Sequence, residues 1–122
     1  MSLRDELEAI NEGFSKALAE QDVERVVAYY TDDARLLWPD QPMIRGREAI
    51  TAEFANDLRD GPAIVQFETL DVLEGGDLVV DVGRMIRPES EAKYVVVYQR
   101  QADGSLKLAV DALSDNAPRT ET

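Results

Sequence analysis

Residues 63–73, 78–87, 92–101 and 106–114 form four apolar, Val-containing segments, each cut from the next by Gly, Asp or Pro. The breaks are EGGD, PESE and the pair Asp103-Gly104. Segments of this length with this punctuation predict consecutive antiparallel strands joined by tight turns. Such a half-chain cannot fold alone, because each strand leaves an apolar face that something must cover.

The first half supplies the cover. Ser2 with Asp5 three residues on is a near match to a capping box, and Leu3, Leu7, Ile10, Phe14 and Leu18 recur at helical spacing. This helix is expected to end near Glu20-Gln21. Asp22 caps a second helix, with Val23, Val26, Val27 and Tyr30 on its apolar face and TDDA (31–34) as its break. Asp32-Asp33 reads as a helix-terminating turn. RLLWP is a short strand stopped by Pro39, DQPMIRG a loop, and Gly46 opens a third helix with Ile50, Phe54 and Leu58 on one face, ended by Gly61-Pro62. The order predicts an α+β domain, three N-terminal helices packed on a strongly curved antiparallel sheet, with a cone-shaped space between. At 122 residues the chain is one domain, expected over 1–116, with 117–122 a polar, frayed tail.

Composition excludes several classes of chemistry. With no Cys and no His, there is no thiol nucleophile, no imidazole base and no ligand set for zinc or non-haem iron. No metal or cofactor is expected. A net charge of −12 repels phosphate backbones and anionic lipid, so neither nucleic acid nor membrane is expected as a partner. The N-terminus MSLRDELEAI is too charged for a signal peptide, and no apolar run approaches the ~20 residues of a membrane span. The cytoplasm is the expected compartment.

The stretches FSKALAEQDVERVVAYYTDDARLLWP and IRGREAITAEF, then TLDVLEGGD and the closing YVVVYQRQADGSLKLAVDAL, resemble the SnoaL-like, ketosteroid-isomerase-like branch of the nuclear-transport-factor-2-like superfamily. The resemblance implies the cone fold. It does not by itself imply an activity, since one fold hosts many. In the isomerases an Asp moves a proton while a Tyr and a protonated carboxylic acid hold the oxyanion. The resemblance places those three roles on Trp38, Phe14 and Val96 respectively. Trp accepts no proton, and Phe and Val donate no hydrogen bond. Losing one oxyanion donor alone typically costs roughly 10²–10³ in rate, so steroid-type isomerisation is not expected.

If Val96 faces inward, so do Tyr94 and Tyr98, by the period of two along a strand. Trp38 brings Leu36 with it, and Phe14, Tyr30, Phe54 and Met43 could add to an aromatic and apolar wall for a small hydrophobic or aromatic ligand. The alternative is that these side chains simply fill the cone.

Two carboxylates interrupt apolar runs: Asp81 in DLVVDVGRM and Asp111 in KLAVDAL. Strict alternation sets Lys107, Ala109, Asp111 and Leu113 on one face and Leu106, Leu108 and Val110 on the other. If Asp81 and Asp111 both point into the cone they could approach each other, and one would then hold its proton. Tyr94 or Tyr98 could supply a hydrogen bond. Asp111 is the candidate for acid–base chemistry. The competing reading pairs it with Arg84 or Arg100 on the outer face. That outer face, with Val95, Val97, Leu106, Leu108 and Val110, is too apolar to stay in water, so a homodimer is expected. Two functions stay open: a small-molecule-binding protein with cofactor-free proton transfer or hydration, or a non-catalytic oligomerisation or protein-binding module with a filled cone.

Overall fold

The computed structural model describes residues 2–116; the expected polar tail, 117–122, lies outside them. Helix α1 (Leu3–Ala19) starts at the capping box, with the Ser2 hydroxyl accepting from the Asp5 amide and the Asp5 carboxylate accepting from the Ser2 amide. Helix α2 (Val23–Val27) is capped by Asp22, and α3 (Arg47–Asp57) follows Gly46. The strands are β1 (Tyr30–Leu37), β2 (Ile44–Arg45), β3 (Gln66–Gly75), β4 (Leu78–Ile86), β5 (Glu91–Arg100) and β6 (Leu106–Asp115). They form one sheet in the order β2-β1-β6-β5-β4-β3, antiparallel except where β1 runs parallel to β6. The three helices cover one face, and the core lies between, with Leu7, Phe14 and Leu18 of α1 and Ile50 and Phe54 of α3 buried against the sheet. No helix among the described residues is long and apolar enough to cross a membrane.

Several local expectations change. Tyr30 is the first residue of β1, not part of α2, and TDDA lies inside that strand. Asp32 and Asp33 are exposed strand residues rather than a helix-ending turn. The reason is a long bulge. Tyr30 pairs with Leu108 and Arg35 with Val110, so four residues of β1 oppose Ala109 alone. The Arg47 guanidinium at the start of α3 holds this bulge, donating to the Tyr30 carbonyl at 2.7 Å and to the Asp32 carboxylate at 3.0 Å. Part of the loop DQPMIRG pairs as β2. β3 begins at Gln66 rather than 63, because the Ala63 amide and the Val65 carbonyl bond to Leu18 and Ser15 of α1 instead. The β5–β6 turn is at Asp103-Gly104, where Gly104 takes φ 88°, open to glycine and strained for other residues.

A second bulge corrects the parity of β6. Val97 pairs with Val110 and Tyr98 with Leu108, which leaves Ala109 unopposed. One extra residue reverses the faces of everything before it relative to everything after it. Leu106 and Leu108 are therefore buried on the inner face together with Asp111, not displayed on the outer one.

Candidate active site

The inner face of the sheet carries a row of four residues: Asp81 on β4, Val96 on β5, Asp111 on β6 and Leu36 on β1. Beside it runs the row Val79, Tyr98, Leu108 and Tyr30. Above these rows the helices do not close. A cavity of about 300 Å³ remains, at the small end of ligand pockets. The cone is therefore not filled.

The cavity wall is mostly apolar and aromatic. α1 contributes Ile10, Phe14 and Leu18, α3 contributes Phe54, and Leu58 follows as the C-cap of α3. Trp38 stands edge-on to Phe54 with ring centres 5.2 Å apart, and Phe14 packs edge-on against Phe67 at 5.6 Å. These perpendicular contacts are the favourable ones for rings and hold the wall rigid. Of the residues expected in the site, Phe14, Trp38, Phe54, Tyr94, Val96, Tyr98 and Asp111 line the cavity. Met43 does not, being 50% exposed elsewhere, and neither does Tyr30, which is fully buried as the support of Asp111 rather than a wall residue. The sequence reading missed Phe67 and Leu113. Alternation within FETL and the shared face of Asp111 and Leu113 were the available signals.

The two carboxylates sit on either side of Val96, each one strand away from it. Their backbones are thus two strand spacings apart, roughly 10 Å, and each has its own partners. Asp111 opens on the cavity, and its Oδ2 accepts a 2.6 Å hydrogen bond from the Tyr30 hydroxyl. The expected partner was Tyr94 or Tyr98; it is Tyr30 because Tyr30 begins β1 beside β6. Burial raises the Asp111 carboxyl above the ordinary aspartate range, and the hydrogen bonds from Tyr30 and Trp38 offset this only in part. Arg84 and Arg100, the alternative partners, pair instead with Glu68 and Glu91 and with Glu6.

Asp81 is 0% exposed and does not reach the cavity. The Tyr94 hydroxyl lies 3.3 Å and 3.4 Å from its two oxygens, and Thr69, which accepts from the Asn11 amide at 3.0 Å, also bonds to it. Burial raises this carboxyl too, against the pull of Thr69, Tyr94 and Arg4. Neither rise comes from the other carboxylate, so the mutual repulsion expected between the two acids is not the cause. Gly83 makes room for the arrangement: a Cβ there would collide with the Tyr94 hydroxyl and the Glu68 carbonyl.

No cluster of carboxylates among the described residues could hold a metal ion. The polar equipment of the cavity is the Asp111 carboxyl with its supporting phenol, the Asp57 carboxyl at the end of α3, the Asn11 amide, the Arg87 guanidinium, further hydroxyls on β5 and the Trp38 indole. Such a set can bind a largely apolar molecule and exchange a proton with it.

Comparison with known proteins gives the same picture of the fold. Residues 11–108 match the family model described as a SnoaL-like domain. No curated protein matches the chain. Among solved structures, ActVI-ORFA from Streptomyces coelicolor is 17% identical, with a TM-score of 0.82 over 95% of this chain and 98% of that one. A protein from Catenulispora acidiphila in complex with S-DNPA is 20% identical, with a TM-score of 0.77 over 93% and 92%. A ketosteroid isomerase-like protein from Erwinia carotovora atroseptica is 19% identical, with a TM-score of 0.74 over 91% and 97%. At these identities the likeness is one of fold.

Proposed function

Because this chain belongs to the SnoaL-like domain family, we propose that its function resides in the cone. It binds a small, largely apolar or aromatic molecule there, and Asp111 exchanges a proton with that molecule without a cofactor. The observation that carries this reading is an open cavity of about 300 Å³ with a carboxyl of raised pKa facing it. A carboxyl lifted toward neutrality is a better general acid or base than an ordinary one. Tyr30 holds it in place, and Phe14, Trp38, Phe54, Tyr94, Val96 and Tyr98 form the ligand wall. That a structural relative was solved in complex with S-DNPA supports small-molecule binding by a protein of this fold. Steroid-type isomerisation is not part of the proposal, since Phe14, Trp38 and Val96 lack the groups it needs.

The test uses 2-tetralone, a bicyclic ketone with acidic protons next to its carbonyl. In D₂O, the wild-type chain is expected to accelerate deuterium uptake at that carbon, and Asp111→Asn is expected to lose the acceleration while still binding. Uptake no faster than in buffer would remove Asp111 as a proton-transfer group and leave a binding protein.

The outer face supports a second copy of the chain as partner. Val80, Val97 and Val110 form one apolar row across β4, β5 and β6, and Val82, Val95 and Ala112 form the next. Val95 is 42% exposed at its centre. Such rows favour burial against a like face. Leu106 and Leu108 do not belong to this surface, which is smaller than the sequence suggested.

A further inference from the structure

The side chains that line the cavity include five hydrogen-bond donors: Asn11, Trp38, Arg87, Tyr94 and Tyr98. Four are committed. Asn11 donates to Thr69, Arg87 to Ser90 and Asp115, and Tyr94 faces Asp81. The Trp38 side chain is turned to Asp111. Tyr98 is different. The residue is only 3% exposed, and no described residue hydrogen-bonds to its hydroxyl. That hydroxyl is not sealed: among the described residues the buried side-chain polar atom without a partner is Arg84 Nε, so the Tyr98 hydroxyl is reached from the cavity and is free to bond to an occupant.

We propose that the Tyr98 hydroxyl sets the ligand class of this cavity by donating to an oxygen acceptor on the ligand, so that a ketone or quinone-like oxygen is preferred over a hydrocarbon of the same shape. This rests on the reading of the cone as a small-molecule site. The direction of the bond follows from the surroundings. Tyr98 lies one row from both Asp81 and Asp111, on the same face of the sheet. Burial and these acids raise its pKa well above the ordinary phenol value, so it keeps its proton and acts as a donor. A ligand group that donates would instead find the carboxyl of Asp111 or of Asp57. The cavity therefore offers two carboxyls as acceptors and, in the Tyr98 hydroxyl, a donor with no protein partner, set in a mostly apolar wall. The donor is not at Phe14, where the family resemblance would have placed a tyrosine; β5 supplies it from the opposite wall.

The experiment compares 2-tetralone with tetralin, the same bicycle without the oxygen, in wild type and Tyr98→Phe. The carbonyl stretch of bound 2-tetralone is read by infrared difference spectroscopy and the two dissociation constants by titration. The wild type is expected to shift the stretch to lower frequency and to prefer the ketone by roughly five- to tenfold, the worth of about one hydrogen bond. Tyr98→Phe should abolish both, whereas Asp111→Asn should keep the infrared shift. Equal binding of the two probes, with an unshifted stretch, would overturn the role of Tyr98 while leaving the cavity a binding site. A preference that survives in Tyr98→Phe would overturn it as well. Failure of the wild type to bind either probe would overturn the cavity reading and this inference with it. Because the infrared shift is read on the wild type itself, a poorly folded variant cannot decide the matter.

Discussion

Asp81 and Asp111 occupy equivalent places, one strand to each side of Val96 on the same face of the same sheet. Burial raises both carboxyls. Yet one is sealed and the other opens on a cavity. The difference lies in what covers them. Over Asp81, Gly83 lets the Tyr94 ring approach, and Thr69 and Asn11 close the side toward α1. Beside Asp111 the neighbour is Leu36, with Tyr30 bonded from one side and empty space above. A buried carboxyl enclosed by its partners is a structural element; the same group with one side open can meet a ligand.

The largest expected effect tests the sealed side. Gly83→Ala forces a methyl group against a backbone carbonyl and the Tyr94 hydroxyl, and neither retreats without breaking a strand pair or uncovering Asp81. A loss of about 2–3 kcal/mol is expected in urea unfolding, the usual cost of overpacking. An unchanged midpoint would mean that Tyr94 is free to move and that Asp81 is not sealed.

Much of this comparison was legible beforehand. The interruption of two apolar runs by Asp81 and Asp111 is a local signal, and the inward parity of Tyr94, Val96 and Tyr98 follows from an unbroken β5. Alternation failed on β6, because the Ala109 bulge is imposed by the partner strands and leaves no mark in LKLAVDAL. Asp111, beyond the bulge, faces inward, the first of the two readings its sequence allows, whereas Leu106 and Leu108, before the bulge, lie on the face opposite to the one alternation predicts. Tyr30 was misread for a similar reason. AYYTDDA has no apolar alternation, since residues 31–34 of β1 form a bulge in which Asp32 and Asp33 are exposed while Thr31 and Ala34 are buried, and Arg47 from α3 holds it. Whether the cone was open could not be read from residue types, because the same aromatic residues either line a cavity or fill one.

The next effect places a third carboxylate beside the other two but on the opposite face. Val97 follows Val96 and sits in the middle of the outer apolar row. Val97→Asp should leave the cavity and its pKa values alone and weaken self-association at least about tenfold, or about 1.4 kcal/mol, read by sedimentation at several concentrations. A wild type that sediments as a monomer at micromolar concentration would remove the outer face from the argument.

A smaller effect is on pH dependence. A carboxyl whose folded pKa is raised holds a proton that the unfolded chain has already released. Its contribution is therefore most favourable below the ordinary aspartate value, about 3.9, and is lost as pH rises toward the raised value. Asp111→Asn and Asp81→Asn should each flatten that part of the stability profile relative to wild type. For Asp111→Asn the change at neutral pH should be no worse than about 1 kcal/mol, because the amide oxygen still accepts from Tyr30. A profile that becomes steeper would mean that the replaced carboxyl was lowered, not raised.

The smallest effect separates the two acids directly. Trp38 is the only tryptophan, it lines the cavity, and its side chain bonds to Asp111 but not to Asp81. Its emission should therefore change as Asp111 titrates and ignore Asp81. The expected curve has a step with a midpoint above that of a free aspartate, because burial outweighs the hydrogen bonds from Tyr30 and Trp38. The step should persist in Asp81→Asn, disappear in Asp111→Asn, and move when 2-tetralone fills the cavity, since a ligand displaces whatever hydrates the open side of the carboxyl and not the closed one. A midpoint at or below the free value would show that Asp111 is held as an anion, which makes it a ligand contact rather than a proton donor. A step that vanishes in Asp81→Asn instead would reverse the assignment, making the sealed acid the one that senses the cavity.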